Sequence, residues 1–435
     1  MSSTPLAADL LARADQGRPV TVGLAGTGQM GTDIICQIEQ MPGLRLGAVA
    51  ELRADMAGAA AAIAGIDGER TSVAANAADV DRTIEAGRLA IVEDAMLLAE
   101  SGRVDVVIDA TGNPNFGADL TLKAIGGGKH IVMMNVECDV TIGRHLAGEA
   151  RQAGVVYTGA AGDEPAATIE LIEFAKNLGM TVVAAGKGKN NPLNIDATPD
   201  LYVNEARARA MNARMLVEFV DGSKTMIEMV AIANATGLVP DIPGMHGPEA
   251  GLAELASVLC LAEDGGVLSR KGVVDYSIGK GVAPGVFCIV EMNHPRLTER
   301  MIDLKVGEGP YFPLYRPYHL TSMEVPLSAA RAVLYGKADM VPLDRPIAEV
   351  GALAKKDLAV GERLDKIGEY GYRGFALEAA DAGERGALPL GLAEGAMVTT
   401  PVRKGELLTC ANCTPNADLT ITRLRQRQDQ ADGQY

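Results

Sequence analysis

Gly26-Thr27-Gly28-Gln29-Met30-Gly31 follows the apolar run "VTVGLA" and precedes Ile34 and Ile38 at helical spacing. A strand, a glycine turn and a helix start are the context in which G-x-G-x-x-G acts as a dinucleotide fingerprint. The first glycine makes the tight turn, the second admits the pyrophosphate against backbone, and the third lets helix pack on strand. Helix amides then face the phosphate charge. Glu51, at the end of the next strand, suits both ribose hydroxyls and so NAD, whereas Arg53 suits a 2′-phosphate and so NADP. These residues leave that choice open. Thr111, Gly112 and Asn113 in "DATGNPN" follow another strand at the carboxyl edge, where open α/β sheets bind ligands, and are expected to border the cofactor.

A second group of residues suits an anionic substrate. Lys187, Lys189, Asn190 and Asn191 in "GKGKNNPLN" combine charge with directed donors, which fits a phosphate, a carboxylate or an enolate oxygen. A solvated loop is the bland alternative. In "YRPYHL", Arg316 is a bidentate anion clamp and Tyr318 or His319 a proton donor, although a histidine there also fits a core. Asp163 and Glu164 stand where acids favour a helix start, and they also suit a hard divalent cation.

Positioning these residues requires a particular set of elements. Apolar runs at 20–26, 44–50, 88–94, 104–111 and 129–135 lack alternation and are separated by helical patterns. They predict an α/β fold with a doubly wound parallel sheet covered on both faces, of Rossmann type. Residues 65–87 read as a polar, alanine-rich excursion. A helix is expected at 163–179, a strand after it, a helix at 203–219 and strands at 285–293 and 311–320, which together predict an α+β second domain. The helical run 328–336 is expected to dock back on the first domain. Short glycine-punctuated strands follow, and the polar tail "RLRQRQDQADGQY" is expected to fray. The expected boundaries are 1–162 for the dinucleotide domain, completed by about 321–341, then 163–320 for the catalytic domain and 342–435 for the β-rich module.

A net charge of -16 supplies no basic stripe for nucleic acid or an anionic membrane. The chain has no run of about 18 apolar residues, and the opening stretch reads as a short amphipathic helix rather than a signal peptide. A cytoplasmic location is expected. The six cysteines are scattered, and Cys410-x-x-Cys413 lacks a second pair at zinc-ribbon spacing.

With "GLAGTGQMG", "DATGNP", "AAGDEPAATIELIEFAKNLG", "GKGKNNPLN" and "YFPLYRPYHL", the chain resembles the 1-deoxy-D-xylulose 5-phosphate reductoisomerase-like family, whose fold is similar to homoserine dehydrogenase. "LPLGLAEGAMVTTPVRKGELLT" resembles a SAF β-clip domain. The resemblance implies NADP(H), in preference to NAD(H), and conversion of 1-deoxy-D-xylulose 5-phosphate to 2-C-methyl-D-erythritol 4-phosphate for isoprenoid precursors. It also implies a homodimer and a Mg or Mn ion. Two motifs depart from the relatives: the fifth strand ends "MMNVE" without the lysine of homoserine dehydrogenases, and Asp163 and Glu164 are adjacent rather than spaced as Asp-x-Glu. Two other readings are a dehydrogenase of a polyol phosphate, hydroxy acid or homoserine-like substrate, and a non-catalytic nicotinamide-nucleotide sensor.

Overall fold

The computed structural model describes residues 5–209 and 211–433. Residues 1–4, 210 and 434–435 lie outside them, and so do the first residues of the expected N-terminal helix, one residue of the expected helix at 203–219 and the last of the tail. The chain divides into two compact units, 1–166 with 320–341, and 167–319 with 342–435.

In the first unit, β1 (Val20–Ala25), β2 (Leu44–Ala50), β3 (Thr71–Val73), β4 (Leu89–Val92), β5 (Val106–Asp109), β6 (His130–Met133) and β7 (Tyr157–Gly159) form one sheet in the order β3-β4-β2-β1-β5-β6-β7. Every pairing in it is parallel. All residues of β1, β4 and β5 are buried, the signature of strands covered on both faces. The stretch expected to be an excursion at 65–87 instead holds β3 and the helix Ala77–Glu85. Its apolar stripe is only Val80 and Ile84, too sparse to stand out in a polar, alanine-rich run.

The helix Thr321–Tyr335 buries Val325, Ala329 and Ala330 in the same core as Ile34 and Ile38 of the helix Gln29–Glu39. Asp339 anchors its far end by accepting from Ser328 Oγ at 2.5 Å and Arg331 Nη1 at 2.6 Å.

In the second unit, β8 (Thr181–Gly188), β9 (Val239–Pro240), β10 (Val273–Ser277), β11 (Val286–Glu291) and β12 (Tyr311–Arg316) are ordered β12-β11-β8-β10-β9. β11 runs antiparallel to both its neighbours, while β8, β9 and β10 are mutually parallel, which makes this an α+β sheet. The helix expected at 203–219 is two helices, Pro199–Ala208 and Ala213–Val220, the second capped by Asn212. β12 stops at Arg316, because Pro317 lacks the donor that would continue the ladder, so Tyr318 and His319 lie beyond the strand.

Residues 342–435 contribute β13 (Ala348–Ala354) paired antiparallel with β14 (Tyr372–Glu378) and β16 (Leu407–Leu408), and a ribbon of β15 (Met397–Val398) with β17 (Cys413–Thr414). The tail does not fray over its described residues. It forms the helix Thr420–Asp432, which buries Ile421 and Leu424 and sets Arg425 2.6 Å from Glu349 of β13. Among the described residues, no helix is long and apolar enough to cross a membrane.

Candidate active site

Gly26 has φ +96, and a Cβ there would lie 2.8 Å from Ala110 O. A Cβ on Gly31 would lie 2.1 Å from Gly26 O, whereas one on Gly28 would meet nothing within 4 Å. The first and third glycines are thus demanded by the packing of the chain itself. The second leaves space that a ligand can take. Gly28 is the N-cap of the helix Gln29–Glu39 and offers no side-chain acceptor, and no acid stands in the first turn, so the amides and the positive dipole end are available to phosphate. Gln29 and Met30 are exposed there.

The loop is pinned by Glu51, whose Oε2 accepts from Thr27 N at 2.9 Å and Thr27 Oγ1 at 2.8 Å, while Oε1 accepts from Leu52 N at 2.9 Å. A carboxylate has about four lone-pair sites, so capacity remains for a ribose hydroxyl. Arg53 is exposed and pairs with Asp55 through Nε at 3.0 Å and Nη2 at 2.5 Å. On the other side of β1, Asp109 ends β5 fully buried, and burial raises its pKa. It accepts from Thr111 N at 3.0 Å and Thr111 Oγ1 at 2.6 Å. Gly112 has φ +64, and Asn113 caps the following helix through Phe116 N. Both loops therefore flank the switch point between β1 and β5.

In the second unit, strand register sets Tyr276 of β10, Lys187 of β8, Val286 of β11 and Arg316 of β12 in one row across the sheet. Paired residues share a face, and with strands about 4.8 Å apart the Lys187 and Arg316 backbones are separated by about 10 Å. Lys187 is paired with Glu228 of the helix Ser223–Thr236, and both are buried. Lys189 is 6% exposed, and its ammonium donates to Asn191 O at 2.6 Å and Phe219 O at 2.7 Å. Burial first, and the Lys187 charge second, lower its pKa to about 8. Asn190 is exposed, and Asn191 Oδ1 accepts from Arg209 Nη1 at 3.1 Å.

Arg316 Nη1 lies 2.9 Å from Glu170 Oε2, and its guanidinium sits 5.1 Å from the Tyr318 ring centroid. Tyr318 is 51% exposed, and His319 is half-buried. The structure thus brings Lys187 and Arg316 into one row with Lys189 just past the end of β8, and leaves Tyr318 and His319 in the segment after β12. Asp163 precedes the helix Glu164–Asn177, and Asp163 and Glu164 each offer a carboxylate oxygen within 4.8 Å of the other. Their chemistry fits a hard divalent cation that takes its remaining oxygens from water or substrate.

Glu228 and Tyr276 were not singled out by sequence reasoning. Glu228 did carry a signal, since one acid inside the apolar run "MIEMVAIANA" must be paired if buried. Tyr276 carried none, because only register aligns it with Lys187. A cavity of about 840 Å³ lined by Leu252, Cys260, Asp264, Lys305, Tyr311 and Tyr315 belongs elsewhere in the unit. Strand alternation sets Tyr311 and Tyr315 on the opposite face of the sheet from Arg316.

Residues 26–158 match the homoserine dehydrogenase NAD binding domain, and residues 162–325 match the oxidoreductase DRL catalytic domain. Together these take in more than half of the chain. Similar solved structures include a probable dehydrogenase from Thermotoga maritima, at 15% identity over 68% of this chain and 74% of that one, with a TM-score of 0.38. Scyllo-inositol dehydrogenase from Lactobacillus casei, solved with NAD(H) and scyllo-inositol, is 14% identical over 68% and 76%, with a TM-score of 0.37. A DOX-P reductoisomerase in complex with magnesium is 16% identical over 73% and 70%, with a TM-score of 0.39. No curated protein matches the chain in sequence. The fingerprint loop and the two domain matches make the chain an NAD(P)-dependent oxidoreductase, with a dinucleotide-binding domain of the homoserine dehydrogenase kind and a second domain that matches the catalytic domain of oxidoreductase DRL.

Proposed function

We propose that the protein is an NADPH-dependent reductoisomerase that converts 1-deoxy-D-xylulose 5-phosphate to 2-C-methyl-D-erythritol 4-phosphate, an isoprenoid precursor, as a homodimer. The observation that carries this reading is the buried Lys187 and Lys189 at the end of β8, inside the segment that matches the DRL catalytic domain. Such a reaction needs a positive, directed donor for an enolate or alkoxide oxygen as the carbon skeleton shifts, and then a proton for the alkoxide left by reduction. Bound reduced nicotinamide supplies the hydride.

The Lys189 ammonium spends two of its three N–H donors on Asn191 O and Phe219 O, which aims the third. A pKa of about 8 lets it give and retake a proton near neutral pH. Lys187 and Glu228 keep a fixed dipole beside it. Asp163 and Glu164 would hold Mg or Mn, which when bound supplies polarisation of substrate oxygens. NADP is favoured over NAD on Arg53, whose exposed pairing with Asp55 can exchange for a 2′-phosphate. The homodimer, the anionic substrate and the SAF-like reading of residues 342–435 rest on the resemblance and belong to this proposal.

The test is NADPH consumption by the full chain with 1-deoxy-D-xylulose 5-phosphate, with the product identified by mass and NMR. Homoserine, polyol phosphates and hydroxy acids serve as competing substrates. Turnover of one of these with none of deoxyxylulose phosphate would replace the reductoisomerase by a simple dehydrogenase. Arg53→Ala is expected to raise KM for NADPH about tenfold and to leave that for NADH unchanged.

A further inference from the structure

We propose that Arg373 and Tyr276, beside Lys187 and Lys189 in the second unit, form the pocket for the phosphate end of the substrate, with Arg373 as the cation that meets it. The inference rests on the reading above that the substrate is a phosphate monoester held at the end of β8.

Tyr276 is 5% exposed, and its hydroxyl has no hydrogen-bond partner among the described residues. Its oxygen is not one of the fully enclosed unpartnered atoms, so the hydroxyl opens onto space that a ligand atom can take. Its place is set by register, directly beside Lys187. Arg373, on β14, is half-buried and has no carboxylate within ion-pair distance among the described residues. Its one hydrogen bond is a long one, 3.4 Å from Nη1 to Gly374 O, and its guanidinium lies 5.7 Å from the Phe375 ring centroid.

Of the other buried or half-buried cations nearby, Lys189 is held by two backbone carbonyls and three are paired with carboxylates. Lys187 has Glu228, Arg316 has Glu170, and Lys355 has Asp221 at 3.1 Å. Arg373 has only the more distant charges of Asp221, which is itself paired with Lys355, and of Asp196, and burial lowers its pKa. A half-buried guanidinium with no carboxylate in direct contact gains when an anion joins it.

Two backbone contacts bring Arg373 and Tyr276 together. Gly374 N donates to Ser223 Oγ at 2.8 Å, which ties β14 to the first turn of the helix carrying Glu228. Gly244 N donates to Ala376 O at 2.8 Å, and a Cβ on nearby Gly247 would lie 2.4 Å from the Tyr276 hydroxyl. The two side chains also feel each other, since the Arg373 charge acts to lower the Tyr276 pKa against the larger effect of burial. A planar fork beside a phenol and the spare N–H of Lys189 offers a phosphate monoester bidentate and single donors at once.

The test titrates the full chain with inorganic phosphate by calorimetry, with acetate as a second arm, and compares the parent with Arg373→Met, Arg373→Lys and Tyr276→Phe. Phosphate can also meet the glycine loop, so only the part that depends on Arg373 counts. The expected result is saturable phosphate binding that weakens about tenfold or more in Arg373→Met and severalfold in Tyr276→Phe, with partial recovery in Arg373→Lys. NADPH affinity should stay within about twofold of the parent in all three, because the dinucleotide loop is untouched. Phosphate binding that is the same in the parent, Arg373→Met and Tyr276→Phe overturns the pocket, as does a site that takes acetate and refuses phosphate. Should Arg373→Met fail to fold, the near-isosteric Tyr276→Phe carries the test alone. The two readings fail separately: loss of phosphate binding without any deoxyxylulose phosphate reduction overturns only the reaction. Reduction with an unchanged KM in both variants overturns only the pocket.

Discussion

Lys187 and Glu228 form an ion pair within the second unit, with 7% and 1% of their side chains exposed. One comes from β8 and the other from the buried helix Ser223–Thr236, so neither charge is paired by its own element. Breaking such a pair from one side strands the other charge. Lys187→Met is therefore expected to cost about 3–5 kcal/mol, and Glu228→Gln in the same chain to recover a large part of it. Urea denaturation of the parent, both single variants and the double variant measures this. Losses that simply add would show that the two groups do not couple.

Gly28 and Gly31 separate cofactor binding from packing. Gly31→Ala pushes a Cβ to 2.1 Å from Gly26 O and is expected to cost about 3 kcal/mol. Gly28→Ala meets nothing within 4 Å, and its φ of -61 suits any residue, so stability should change by less than about 1 kcal/mol. Its NAD(P)H affinity should nevertheless fall at least tenfold, because the methyl group takes the space left for pyrophosphate. Melting curves and nucleotide fluorescence titrations read the two effects. Unchanged nucleotide affinity in Gly28→Ala would remove this loop from the cofactor site.

The Lys189 ammonium, with its pKa lowered to about 8, should give kcat/KM an alkaline limb. Charged below that pH and neutral above it, Lys189 loses its hold on an anion as pH rises through about 8. Lys189→Arg should move the limb out of the accessible range, since a guanidinium stays charged. Stability runs the other way. Between about 8 and the ordinary 10.5 the unfolded chain binds the extra proton, so this group makes stability rise with pH, and Lys189→Met removes that rise.

Asp139 is fully buried in the first unit, accepts from the Tyr157 hydroxyl at 2.7 Å, and has its pKa raised by burial to about 6. A carboxyl raised in this way favours the folded state at low pH, and that advantage is lost as pH rises from its ordinary 3.8 through about 6. Asp139→Asn keeps an acceptor for Tyr157 and removes the buried charge. It is expected to stabilise the chain by about 1–3 kcal/mol at pH 7, with a smaller gain at pH 4. Thermal melts at the two pH values decide it, and equal effects at both would show that the ionised form bears no penalty.

Much of this molecule was legible from local pattern. The glycine spacing after "VTVGLA" and the unbroken apolar strands predict the parallel sheet, because a strand buried on both faces has no polar positions. Weak local signals hid other parts. β3 is three residues long, and the helix Thr420–Asp432 buries a few apolar residues in a polar stretch, so neither produces a period that stands above its surroundings.

The residue types at the sheet end, two lysines after an apolar strand and an arginine before a proline, were determined by the sequence alone, and so was the dinucleotide loop, since steric limits on glycine act within a few residues. Which charges are spent was decided only by the tertiary structure. Glu228 and Glu170 come from separate helices to meet Lys187 and Arg316, and Tyr276 reaches its place through the register of β10 on β8. Pairing between distant segments depends on how whole elements pack, and a linear spacing carries no record of which charge will find a partner.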